Sequence, residues 1–75
     1  LTREDMADEF LLMGLRLAEG IDIARFGALA GRSLDPARIA MLHEHGLVET
    51  TASGRLRVTL PGFPVLDAVV ADLAA

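Results

Sequence analysis

Cysteine is missing from all 75 residues, and lysine is missing with it. The first absence excludes disulfides, iron–sulfur ligation and thiol catalysis within these residues. The second leaves arginine as the fixed cation: seven arginines face eleven acids, for a formal charge of −4. That balance repels nucleic acid unless the positive charge is gathered on one face. Long apolar runs are lacking too. Arg16 and Glu19 interrupt the longest candidate, far short of the roughly 20 residues that a membrane-spanning helix needs, and no segment reads as a signal peptide. These absences predict a soluble, cytoplasmic chain without a membrane span.

What is present is apolar residue in quantity. Hydrophobic residues make up 52% of the chain against 24% charged, the balance of a globular protein. Residues 1–75 read as one domain, with no linker, repeat or low-complexity segment. A domain of this length buries roughly 60% of the surface its unfolded chain exposes, enough for a core but not for a large enclosed enzyme pocket.

Capping residues mark out the elements. Thr2 is an N-cap with Asp5 three residues on, and Leu1 is placed to staple onto Met6. This first helix is expected to run to about Ala18, where Gly20 supplies the residue of positive φ. Asp22 caps a short second helix that turns Ile23, Phe26, Leu29 and Ala30 inward and ends at Gly31. Ser33-Leu34-Asp35-Pro36 starts a third, with Asp35 as N-cap and Pro36 at the first helical position, ending at Gly46. The period then changes. Leu47-Val48-Glu49, the turn residues Thr50 to Gly54, and the strict alternation of Arg55-Leu56-Arg57-Val58-Thr59-Leu60 predict a β-hairpin with one buried face. Val65, Leu66, Val69, Val70 and Leu73 return to helical spacing, and Pro64 delays regular helix to near Phe63 or Pro64. The order helix, helix, helix, hairpin, helix predicts a mainly α fold with a small β-hairpin, winged-helix-like in arrangement. Fold alone does not fix function.

The first helix breaks the rule that a small domain's helix has one wet face. Met6, Phe10, Met13 and Leu17 follow intervals of 4, 3 and 4 and form the expected core stripe. Leu12 and Leu15 lie across from it, beside Asp5, Asp8 and Glu19. Either they are singly exposed leucines of no consequence, or the helix has a partner and Leu12 and Leu15 dock against it.

The string Glu9-Phe10-Leu11-Leu12-Met13-Gly14-Leu15-Arg16-Leu17-Ala18-Glu19-Gly20-Ile21-Asp22 resembles the signature of the C-terminal domain in the oxygen-independent coproporphyrinogen III oxidase family, which includes related haem chaperones. Ile23-Ala-Arg-Phe26, His45-Gly-Leu-Val-Glu49, Leu56-Arg-Val-Thr59, Gly62 and Val65-Leu-Asp-Ala-Val69 extend the likeness over most of the chain. Pro64 departs from it, standing where the family usually continues the helix. The resemblance implies a C-terminal accessory domain of a larger radical S-adenosylmethionine protein. In that family an upstream partial barrel carries three clustered cysteines that hold a [4Fe–4S] cluster. The partners so implied are that upstream catalytic domain and, through it, porphyrin or haem. The implied activity is coproporphyrinogen decarboxylation or haem delivery, with this fragment itself catalytically silent and holding no cofactor.

The residues offer no catalytic, cofactor-binding or metal site of their own. Arg16 either forms a surface ion pair with Glu9 or Glu19, or reaches toward the docked domain or a propionate, whose geometry suits a guanidinium. His43 and His45 stand two residues apart, about 200° around a helix, and cannot ligate one ion from one face. Arg55 and Arg57 share one side of the second strand, either as solvated outward residues or as a contact for phosphate or propionate. Asp67 and Asp72 fall on the polar side of the closing helix, and Gly14 suits close approach of another backbone. On the strength of the resemblance, the preferred reading is a domain that packs on a catalytic domain and covers its porphyrin cavity. Two other classes stay open. One is a DNA-binding module with Pro36 to His45 as recognition helix, although Arg38 and two histidines against Glu44 neutralise phosphate poorly. The other is a protein-interaction domain that dimerises through Leu12 and Leu15.

Overall fold

A computed structural model describes residues 2–74. The expected staple from Leu1 lies outside them. Helix α1 (Arg3–Leu15) starts at a reciprocal cap: Thr2 Oγ1 accepts from the Asp5 amide at 3.0 Å, and the Thr2 amide donates to Asp5 Oδ2 at 3.3 Å. Helix α2 (Ile23–Ala30) starts where the Asp22 carboxylate accepts from the Ala24 amide at 2.9 Å, and it ends at Gly31 with φ 75°. Helix α3 (Pro36–Glu44) starts in the same way from Asp35, with Pro36 in its first turn. Strands β1 (Val48–Thr50) and β2 (Leu56–Val58) pair antiparallel, setting Glu49 opposite Arg57. A 3₁₀ turn (Phe63–Val65) leads into α4 (Leu66–Ala74). The result is the mainly helical chain with one small hairpin that the residue pattern predicts. Regular α-helix begins two residues after Pro64, whose missing N–H is tolerated in the tighter turn.

Helix α1 stops three residues short of Ala18, and the cause is tertiary. The chain leaves it through two tight turns, Leu17 amide to Gly14 carbonyl and Gly20 amide to Leu17 carbonyl. Gly20 then takes φ 70° against the backbone of Leu56, where any Cβ would collide. This lets Ile21 and Leu56 exchange both backbone hydrogen bonds, at 2.7 and 2.9 Å. An extra turn of helix would forfeit that pairing.

The core corrects the reading of α1. Its buried residues are Ala7, Leu11 and Leu15, which pack with Ile21, Phe26, Leu42, Leu56, Val69 and Leu73. Met6, Met13 and Leu17 are exposed, and Phe10 is only partly buried. Both triplets have helical spacing, so periodicity alone does not choose between them. Close approach decides it. Ala7 and Gly14 have little or no side chain on the inner face, and Ile21 packs so tightly over Gly14 that a Cβ there would overlap it. Leu15 is therefore a core residue with no exposed surface, which corrects the expectation that it lies on an exposed docking face. Leu12 is half-buried.

Candidate docking site

The hairpin grips the exit of α1 through its two arginines. Arg57 donates from Nη1 to the Ala18 carbonyl at 2.6 Å and from Nε to Glu49 Oε2 at 2.6 Å. Arg55 donates to the carbonyls of Glu19 at 3.0 Å and Gly20 at 3.2 Å. The carbonyls beyond the last turn of α1 have no helical donor, and β2 supplies it. Both guanidinium groups, placed by the alternation on an outward side, are thus committed to the chain itself. Glu49, directly across the hairpin, meets the charge of Arg57.

Beside this contact lies an open groove of about 510 Å³. Its walls are Arg16, Leu17 and Ala18 from the exit of α1, the Glu49–Arg57 pair of the hairpin, and Val58 to Pro61 with Phe63 from the hairpin's end. Alternation along the second strand places Leu60 inward with Leu56 and Val58, yet Leu60 is 84% exposed. Strand pairing has ended by then. The Thr59 amide donates to the Leu47 carbonyl at 3.0 Å, its hydroxyl to the Gly46 carbonyl at 2.6 Å, and the Gly62 amide turns back to the Thr59 carbonyl. Leu60 rides on the tip of that turn. Leu17 at 50% and Phe63 at 42% exposure complete an apolar rim.

Arg16 caps the end of α1 and stands exposed in this groove. Neither Glu9 nor Glu19 pairs with it; the ion pairs among the described residues join Arg32 to Glu4, Arg38 to Asp35 and Asp72, and Arg57 to Glu49. Of the proposed site residues, the structure brings Arg16 and Arg57 into one groove, leaves Arg55 behind the hairpin's contact with α1, and withdraws Leu15 into the core. Leu17, Leu60 and Phe63 were not singled out as a surface from the sequence. The Pro61-Gly62 pair carries a usable signal, since such a dipeptide ends a strand before the alternation does.

A second crevice of about 320 Å³ opens between α3 and α4, lined by Met41, Leu42, Leu47, Val65, Ala68 and Val69 with His45 and Asp72 at its edge. Asp72 pairs through Oδ1 with Arg38 at 2.9 Å, while its buried Oδ2 has no partner. His43 Nε2 lies 3.1 Å from the Thr50 hydroxyl. Among the described residues no three His, Cys, Asp or Glu side chains gather into a metal-binding group, and no helix is long and apolar enough to cross a membrane.

Cap spacing, hairpin and α1 signature together define a small, mainly helical domain with one β-hairpin. Residues 1–65 match the family described as the HemN C-terminal domain, and the chain belongs to that family. The match ends with the last residue of the 3₁₀ turn, so α4 lies beyond it. No curated protein and no solved structure matches the chain.

Proposed function

We propose that this domain is a non-catalytic accessory module, winged-helix-like in arrangement, that packs on a radical S-adenosylmethionine catalytic domain of a cytoplasmic protein and helps cover its porphyrin site. The observation that carries the reading is the exposed apolar rim of Leu17, Leu60 and Phe63 around one groove. Three large side chains left in water at one place suit an interface better than a free surface. The rest of the protein would decarboxylate coproporphyrinogen or deliver haem. A [4Fe–4S] cluster does not fit this chain, which has no thiolate to offer, so its part is to exclude water and hold the assembly in position.

The DNA-binding alternative lacks free cations where it needs them. Arg38 on α3 is held by Asp72, and Arg55 and Arg57 on the hairpin are held by backbone carbonyls and Glu49. Dimerisation through Leu12 and Leu15 loses Leu15 to the core.

The experiment is a Leu17→Ser, Leu60→Ser double variant in the protein that carries this domain. Each leucine gives up roughly 1.5–3 kcal/mol of burial if the face is fully covered there. The expected outcome is release of the domain by limited proteolysis more than about tenfold faster, with weaker coproporphyrin binding. Unchanged release and unchanged porphyrin affinity would sink the proposal.

A further inference from the structure

Charge in the docking groove is unevenly settled. Arg57 is neutralised across the hairpin by Glu49 and bound to the Ala18 carbonyl. Arg3, Arg32 and Arg55 donate to carbonyls elsewhere, and Arg38 is paired with Asp72. Of the arginine side chains among the described residues, those of Arg16 and Arg25 alone have no hydrogen-bond or ion-pair partner, and of these two only Arg16 lines the groove. Arg16 is also the sequence neighbour of Leu17, one of the apolar rim residues. Both side chains line the groove, so a surface that fills it over Leu17 also takes water from the Arg16 guanidinium. An uncompensated guanidinium taken out of water costs more than one leucine's burial returns. The cover must bring an anion of its own.

We infer that the surface docking in this groove presents an aspartate or glutamate to Arg16, set among apolar side chains that cover Leu17, Leu60 and Phe63. The inference rests on the docking reading above and names what the partner carries. The occupant is a segment of the catalytic domain of the same protein, acidic at one point and apolar around it. Leu60 projects outward instead of lining an enclosed cavity, so a broad surface covers it and a small molecule would not. The planar fork of Arg16 matches a carboxylate in two parallel hydrogen bonds, which fixes the angle at which the domain sits as well as its place.

The test uses the protein that carries this domain, with Arg16→Glu, Arg16→Lys, Arg25→Glu and Leu60→Ser compared by the rate at which limited proteolysis frees the domain. Arg16→Glu should speed release roughly tenfold or more, as loss of one partner of a covered charge pair does. Arg16→Lys should fall between it and wild type, and Arg25→Glu should change nothing. If Leu60→Ser frees the domain but Arg16→Glu does not, the carboxylate is wrong and docking stands. If neither does, docking in this groove is wrong as well. Equal effects of Arg16→Glu and Arg25→Glu would reveal a general charge effect and overturn the inference. Two measurements on the isolated chain guard the result. A melting temperature lowered by Arg16→Glu would give Arg16 a role inside the domain, and self-association abolished by that change would assign the groove to a second copy; either overturns the proposal.

Discussion

At Gly14 two preferences oppose each other, and their magnitudes decide the outcome. Alanine is favoured over glycine inside a helix by about 1 kcal/mol. A Cβ at this position, however, would overlap Cγ2 of Ile21. Ile21 is buried and tied to Leu56 through both backbone groups, so it has nowhere to retreat. Overpacking a tight core costs about 1–3 kcal/mol. Gly14→Ala is accordingly expected to lower stability, read as a lower urea midpoint at unchanged slope; a higher midpoint would show that Ile21 rotates freely. Phe26 is a simpler case, fully buried with Arg32 stacked 5.5 Å from its ring centroid. Phe26→Ala should cost about 3–5 kcal/mol, a large share of a small domain's total. Loss of the cooperative melting transition is the expected result, and a shift of only a few degrees would remove Phe26 from the centre of the core. Single residues that act through their own backbone were legible in the sequence: Thr2, Asp22, Asp35 and Gly31 cap as their types require. The partner of Gly14 was not, because it depends on where Ile21 returns.

For whole elements, legibility ends at the phase of α1. Its ends and its existence follow from local chemistry, but its inner face is chosen by neighbours. Two helical stripes run along it, and the one with the smaller residues won, since Ala7 and Gly14 admit other elements closely while Met6 and Met13 do not. The hairpin shows the same division. Burial of Leu56 and Val58 is readable from alternation, whereas the register that sets Glu49 against Arg57 and draws Thr50 into β1 is not. The target of its arginines is a tertiary matter, namely carbonyls 35 to 39 positions back in the chain. These bonds tie the exit of α1 to β2 and hold Leu17 at the groove. Replacing Arg55 and Arg57 together by alanine should therefore act locally as well as on overall stability. The partly exposed Arg57–Glu49 pair contributes under about 1 kcal/mol, and the bonds to carbonyls make up most of the loss at roughly 1 kcal/mol each. Hydrogen exchange at the Leu17 and Gly20 amides should quicken more than at the amides of α2. Uniform acceleration across the domain would mean that the arginines do not specifically anchor this turn.

In the molecule as a whole, apolar residue exceeds what one small core can hold, and the surplus emerges at the groove as Leu17, Leu60 and Phe63 and elsewhere as Met6, Met13, Met41 and Val65. The surplus is legible in the sequence through an α1 that is apolar nearly all round; where it surfaces is not. Assigning the Met6, Phe10, Met13 and Leu17 stripe to the core makes Leu15 look exposed and hides Leu17, the reverse of their observed burial. Leu60 was hidden for a second reason, since alternation was carried past the turn at Thr59. The corrected placement makes a prediction in which two leucines of the same type and size behave in opposite ways. Leu15 has no exposed surface and Leu60 is 84% exposed. Leu15→Ser places a hydroxyl in the core and removes a buried side chain, at a cost of several kcal/mol, so the isolated chain should fail to fold. Leu60→Ser should leave its stability within about 0.5 kcal/mol, as surface changes do. Thermal melts of the two variants beside wild type read both outcomes at once. Should Leu60→Ser unfold the chain while Leu15→Ser spares it, the faces of α1 and the end of the hairpin would be the reverse of those described, and the groove would have no rim to dock.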